Sequence, residues 1–157
     1  MAAKFQFSES NTVAETVTDG ISNLNMGSND SINLNTSTYP IIVGQNSFSK
    51  YLRAKFSSTF TEISNMKFWK SVGTLVTGET IKAAANVAFA TPSQTGTGDS
   101  DIPTTEGTAL AIQAADGSST IVAVGYTKYI RLQLNTTGSS PSGAVNQKTY
   151  TMQWDEV

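Results

Sequence analysis

The chain of 157 residues contains neither cysteine nor histidine, and only 14% of its residues are charged. It therefore cannot form a disulfide, a Ser-His-Asp triad, a cysteine nucleophile, a haem ligand set, an iron–sulfur cluster or a zinc site of the common nitrogen and sulfur type. The calcium-like fragments at residues 29–31 and 99–101 lack the ligand spacing of a known calcium loop. We expect no catalytic residue, no metal and no cofactor. The alternative is a small glycosidase or esterase-like enzyme, which would need a pair of carboxylates or a serine that no sequence motif identifies.

A surplus of positive charge is also missing. Ten Lys and Arg residues stand against twelve Asp and Glu residues, which gives a formal net charge of −2. Such a chain has no basic field to hold a nucleic acid or an anionic membrane, so we expect neither partner. No stretch approaches the ~18 consecutive apolar residues of a membrane span, and residues 1–6 contain no apolar run of signal-peptide length. We expect a soluble, unprocessed chain.

The clearest pattern in the sequence is an alternation of apolar and polar residues with a period of two, which is typical of β-strands. In residues 51–56, Leu52, Ala54 and Phe56 alternate with Arg53 and Lys55. The same pattern predicts strands at residues 129–135 and 149–154. Shorter candidate strands are residues 4–7, 31–34, 39–43, 66–69, 110–114 and 120–124.

Residues 81–89 are ambiguous, because their alanines suit a helix while their alternation suits a strand. We favour the strand, which would place Val87 and Phe89 on the same face as Ile81. The predicted fold is therefore all-β, an antiparallel β-sandwich of the Ig-like or jelly-roll kind, with a barrel as the second choice. We expect a single sandwich domain over residues 21–157, preceded by an extended N-terminal arm at residues 1–20.

Two long loops rich in Gly, Ser and Thr are predicted at residues 91–101 and 136–147. The second lies between two well-marked strands, so we interpret it as a long hairpin loop. Loops of this length usually contact something or remain mobile.

The aromatic residues allow two interpretations. Phe56, Phe68, Tyr150 and Trp154 are expected in the core, whereas Trp69 follows Phe68 directly and must therefore face the other side of its strand, where an interface is expected. The alternative is a sugar-stacking platform on one face of the sandwich, formed by Trp69, Trp154, Tyr39, Tyr51, Tyr126 and Tyr129.

Several segments resemble a type of small tailed-phage virion protein. They are Ile42-Val43-Gly44-Gln45-Asn46-Ser47-Phe48-Ser49-Lys50-Tyr51-Leu52-Arg53-Ala54-Lys55-Phe56, Ile63-Ser64-Asn65-Met66-Lys67-Phe68-Trp69-Lys70, Tyr129-Ile130-Arg131-Leu132-Gln133-Leu134 and Thr149-Tyr150-Thr151-Met152-Gln153-Trp154-Asp155-Glu156. The resemblance implies a β-sandwich without catalytic residues that acts as a virion structural component, namely a capsid decoration (cement) protein. A tail, neck or fibre component, or a carbohydrate-binding receptor-recognition module, is the alternative.

A decoration protein of this kind implies a particular set of partners. The resemblance implies a homotrimer that is made in the host cytoplasm and binds the major capsid protein, or another virion protein, on the capsid surface. On this hypothesis the N-terminal arm would reach a neighbour by adding residues 4–7 to a sheet edge, with Lys4, Phe5 and Phe7 as contacts. Trp69 is the fourth predicted interface residue.

Overall fold

The computed structural model describes residues 2–141 and 146–157, and nearly all of its regular structure is β-strand. One short 3-10 turn is present at Glu106–Thr108. The prediction of an all-β sandwich is confirmed. The ten strands are β1 (Lys4–Asn11), β2 (Thr16–Asp19), β3 (Lys50–Ser57), β4 (Ile63–Val72), β5 (Glu79–Val87), β6 (Ser100–Asp101), β7 (Leu110–Ala111), β8 (Gly125–Tyr126), β9 (Tyr129–Thr136) and β10 (Thr149–Glu156).

The strands form two antiparallel sheets of unequal size. The large sheet has seven strands in the order β2-β1-β3-β9-β5-β6, with β8 paired to β3 beyond the end of β9. The small sheet has three strands in the order β10-β4-β7. Because β9 and β10 belong to different sheets, the connection between them is a crossover and not the predicted hairpin loop. Residues 142–145 of that predicted loop lie outside the described residues.

The strands with the strongest alternation form as predicted. In β3, Leu52, Ala54 and Phe56 are buried while Arg53 and Lys55 are half-buried on the opposite face. β9 repeats the arrangement with Ile130, Leu132 and Leu134 in the core. The inner faces of both sheets meet in one hydrophobic cluster, in which Phe56, Ile63 and Phe68 are fully buried.

The ambiguous segment is a strand, β5, but its alternation ends earlier than predicted. A bulge interrupts the pairing of β5 with β9 between Ala85 and Val87, and Asn86 adopts the left-handed conformation with φ of 59°. A bulge inserts one extra residue and so changes the face on which later side chains lie. Phe89 consequently packs against Tyr51 and Tyr129 on the outer face of the large sheet, not beside Ile81.

Several predicted short strands are absent from the structure. Residues 31–34 and 39–43 belong to an irregular connection between β2 and β3, and residues 120–124 contribute only an isolated bridge at Ile121. The strand predicted at residues 110–114 shortens to β7. In the connection between β2 and β3, Asn and Ser side chains oppose strand formation, because they form hydrogen bonds to nearby backbone groups that compete with strand pairing. Asn35 does this, accepting from the N–H groups of Ser37 and Thr38 through its Oδ1.

The N-terminal residues do not form the predicted extended arm. β1 pairs with β3 of the same chain from Lys4, opposite Ser57, to Ser10, opposite Tyr51, and its second half also pairs with β2. The alternation of Phe5 and Phe7 explains the correction, because both rings reach the hydrophobic cluster once β1 joins the large sheet. β1 and β2, which lie within the predicted arm, are therefore part of the sandwich.

A buried ion pair joins the large sheet to the connection between β2 and β3. Lys50 Nζ donates to Glu9 Oε1 at 2.7 Å and to the carbonyl oxygen of Ser31 at 2.9 Å, and both charged side chains are only 1% exposed. Asn11 Nδ2 donates to the same Glu9 oxygen and to Asp30 Oδ1. This network fixes the middle of the connection, at Asp30 and Ser31, against β1 and β3.

We predict that Lys50→Met destabilises the protein by about 3–5 kcal/mol, because it leaves the Glu9 carboxylate buried without its cation. Urea unfolding measures the change. Lys82→Met is the matched control, since the Lys82–Asp101 pair is exposed and its loss should cost less than about 1 kcal/mol. The double variant Glu9→Leu, Lys50→Met should be more stable than Lys50→Met alone. Equal losses in the free energy of unfolding for Lys50→Met and Lys82→Met would contradict the burial of the Lys50–Glu9 ion pair.

Candidate binding face

The structure separates the four residues predicted to form an interface. Lys4 is exposed at the start of β1, whereas Phe5 and Phe7 point into the sandwich. The Phe5 ring lies 4.9 Å from the Trp154 ring and the Phe7 ring lies 6.2 Å from that of Phe68, between ring centroids. We therefore assign Phe5 and Phe7 to the core, which corrects the prediction that they contact a neighbour.

Trp69 lies on the outer face of the small sheet. Its neighbour Phe68 is fully buried, so the two side chains point to opposite faces as the sequence predicts. Trp69 is half-buried and lies beside Thr151 of β10, in a shallow depression that Glu106, Gln153 and Trp154 also line. It shares no face with Lys4 of the large sheet.

The six aromatic residues of the predicted platform are also divided. Tyr51, Tyr126 and Tyr129 come together on the outer face of the large sheet. Trp154 packs between the sheets against Phe56, and Tyr39 is exposed in the connection between β2 and β3. The six residues therefore do not form a single platform, but Tyr51, Tyr126 and Tyr129 do lie together.

Two of these tyrosines, Tyr126 and Tyr129, flank Arg53, which the alternation in β3 predicts only to face outward. The guanidinium carbon of Arg53 lies 4.1 Å from the centroid of the Tyr126 ring and 4.6 Å from that of Tyr129. Contacts of a guanidinium with aromatic faces are favourable and fix its orientation. We call this group the Arg53 cluster, formed by Arg53, Lys55, Tyr126, Tyr129, Asp19 and Glu15.

The acidic members of the Arg53 cluster hold the tyrosines and the lysine. Asp19 accepts hydrogen bonds from Lys55 Nζ at 2.5 Å, from the Ser8 hydroxyl at 2.6 Å and from the Tyr126 hydroxyl at 3.0 Å. Although its partial burial acts in the opposite direction, these donors hold the pKa of Asp19 below its usual value. The Tyr129 hydroxyl donates to Glu15 at 2.5 Å. The tyrosine rings that flank Arg53 are thus fixed at their hydroxyl ends.

Arg53 itself is left without comparable partners. Its buried Nε has no hydrogen-bond partner among the described residues, and it takes part in none of the ion pairs of residues 2–141 and 146–157. A guanidinium has five N–H donors in a rigid planar arrangement that suits carboxylates and other anions. The terminal nitrogens of the half-buried Arg53, and not its buried Nε, can therefore meet an acceptor from another molecule.

The loop at residues 91–101 covers the other half of this face. Gln133, fully buried on β9, donates through Nε2 to the carbonyl oxygens of Ser47 and Thr95, and Thr97 N donates to its Oε1. Arg131 forms a two-pronged ion pair with Asp99, which raises the pKa of Arg131. The loop is thus fastened over β9 and β5, and the Arg53 cluster lies on the part of the face that it leaves open.

Comparison with protein-family models, with curated protein sequences and with solved structures finds no match for this chain. Within the part of the chain that the structure describes, no three acidic side chains converge as metal ligands. That part also contains no helix long and apolar enough to cross a membrane.

The Arg53 cluster predicts a late tyrosine ionisation. Burial and the hydrogen bond to Glu15 raise the pKa of Tyr129 to about 12, against about 10 in an unfolded chain. Because the neutral phenol is favoured in the fold, its stabilising contribution is complete below pH ~10 and is lost as the pH rises towards 12. Ultraviolet titration should show late ionisation of two tyrosines, Tyr129 and the buried Tyr150. Tyr129→Phe should remove part of this late component, whereas Tyr39→Phe should leave all of it. A Tyr129→Phe titration identical to the wild-type one would contradict the arrangement.

Proposed function

We propose that this protein is a structural component of a tailed-phage particle, a decoration (cement) protein that binds the major capsid protein as a homotrimer on the outside of the head shell. The resemblance of the β3, β4, β9 and β10 segments to small virion proteins supports the class, and the all-β sandwich agrees with it. The observation that carries the proposal is the Arg53 cluster, in which a half-buried cation is held between two tyrosines on the outer face of the large sheet.

The composition of the cluster suits a protein contact. Arg and Tyr are enriched among the interface residues that contribute most to binding, especially where neighbouring groups hold them in place. Lys55 and Arg53 balance Asp19 and Glu15, so the cluster has complementary charges without a strong net field. Such a surface favours an ordered polar contact over non-specific attraction.

Binding of this kind explains how a protein without catalytic groups could act. Each bound copy stabilises the assembled shell over the free subunits by its binding free energy. A trimer engages three sites at once, so modest individual contacts combine through effective concentration. The function follows from contact geometry, and the protein makes and breaks no covalent bonds in it.

A second candidate function is favoured by one observation on the other sheet. Trp69 lies half-buried in a shallow depression with Glu106, Thr151 and Gln153, which places an aromatic ring among hydrogen-bonding groups. Such a combination is suited to stacking a sugar ring. A receptor-recognition module, in a tail or fibre, would use this face and not the Arg53 cluster.

We predict that the protein co-sediments saturably with undecorated head shells of the phage that encodes it, and that Arg53→Ala weakens this binding about 30-fold, the effect of losing about 2 kcal/mol at a binding hot spot. Lys67→Ala is the matched control, because it removes a cation from the outer face of the small sheet and should change the affinity less than about twofold. Light scattering should give three times the chain mass of 16.6 kDa.

Two results would overturn the proposal. One is a wild-type protein that does not co-sediment with the shells. The other is equal binding by folded Arg53→Ala and wild-type protein. Saturable binding to a glycan that is lost in Trp69→Ala but kept in Arg53→Ala would establish the second candidate instead.

A further inference from the structure

The inner face of the large sheet is wider than the small sheet, and the remainder is covered by the connection between β2 and β3. The cover is incomplete and leaves a partly open cleft of about 880 Å³. Its floor is formed by the nearly buried Leu52, Ile81 and Leu134 of the large sheet. Its walls include Ile21, Leu24 and Ile41 of the connection, and Tyr150 of the small sheet.

The walls of this cleft are apolar but incompletely packed. Ile21, Leu24 and Ile41 contact the hydrophobic cluster, yet each keeps a half-buried side chain instead of closing on the floor. The volume falls within the range of about 300–1,000 Å³ that is usual for small-molecule sites. Side chains that line a void lose the contacts that an occupant of matching shape would supply.

One end of the cleft carries polar groups. The Tyr150 ring stacks on Phe68 at 5.8 Å between centroids, and its hydroxyl has no hydrogen-bond partner among the described residues. Like any tyrosine hydroxyl, that of Tyr150 is protonated and can donate at neutral pH, and burial raises its pKa further.

Glu79 is the second polar group at this end, because it pairs with Lys148, which lies two residues before Tyr150. Its side chain is 1% exposed, and its Oε2 accepts from Lys148 Nζ at 3.1 Å and from Val76 N at 3.1 Å. Its buried Oε1 has no partner among the described residues. Because Lys148 neutralises the carboxylate, this end has unpaired hydrogen-bonding capacity without net charge. It therefore suits an uncharged polar group better than an anion or a cation.

We propose that the cleft binds a small, elongated apolar molecule with one hydroxyl group, of the lipid-alcohol class. The chain of the ligand lies against Ile21, Leu24 and Ile41, and its hydroxyl accepts from Tyr150 and donates towards Glu79. This activity is separate from the contact role of the Arg53 cluster and uses the opposite face of the large sheet. Its failure would therefore leave the shell-binding proposal unaffected.

The test is a methyl NMR titration of the full chain with 1-decanol, decane and decanoate. Decanol should shift the methyl signals of Ile21, Leu24 and Ile41 saturably and bind more tightly than the other two probes. Tyr150→Phe should weaken decanol binding about fivefold, the loss of one neutral hydrogen bond, while decane binding stays unchanged. Tyr39→Phe is the matched control, because that tyrosine is exposed on the same connection outside the cleft, and it should bind decanol like the wild type.

Ile41→Trp offers an independent test, because it fills the cleft from the wall and should abolish binding of decanol and decane alike. The proposal is overturned if no probe causes saturable shifts in the wild type. It is also overturned if decanol, decane and decanoate bind equally to wild-type and Tyr150→Phe protein, since the hydroxyl would then not be recognised. Either variant is interpreted only when its methyl spectrum retains the dispersion of the folded wild type.

Discussion

The unequal size of the two sheets is the constraint on which the rest of the structure depends. A sheet is stable only when its apolar face is covered, and three strands cannot cover the inner face of seven. The connection between β2 and β3 supplies the missing cover with a few apolar side chains such as Leu34, which is 2% exposed. The ion pair of Lys50 and Glu9 stabilises this arrangement, because Lys50 also holds the Ser31 carbonyl. A segment with the composition of a loop thus becomes part of the core, and the cleft lies where its cover ends.

The outer face of the large sheet is also partly covered by other segments of the chain, which are held there by polar contacts. Gln133 and the Arg131–Asp99 pair fasten one loop over half of this face, while the hairpin of β1 and β2 brings Asp19 to the other half. Arg53 lies in the open half, where Tyr126 and Tyr129 fix its orientation. Both candidate sites are therefore regions that the covering segments leave open, one apolar and inside the sandwich, the other polar and outside it.

Alternation in the sequence predicts the strands that have one apolar face, and it placed Phe56 in the core and Trp69 opposite Phe68. It could not predict the burial of Lys50 and Glu9, because a charge is buried only with a partner, and these two are 41 residues apart. Nor could it predict the stacking of Arg53, which depends on β8 and β9 lying beside β3, a matter of strand pairing and not of periodicity. Alternation also puts Phe89 on the wrong face of the large sheet. The bulge at Asn86 reverses the faces of the residues that follow, and a single Asn is the only trace of that bulge in the sequence.

On the proposed function, the outer face of the large sheet contacts the shell and the outer face of the small sheet does not. Hydroxyl-radical footprinting of the free and the shell-bound protein tests it most directly, because Tyr126 and Trp69 are both half-buried aromatic side chains on opposite outer faces. We expect shell binding to protect Tyr126 from oxidation and to leave Trp69 as reactive as in the free protein. Protection of Trp69 with Tyr126 unchanged would contradict it.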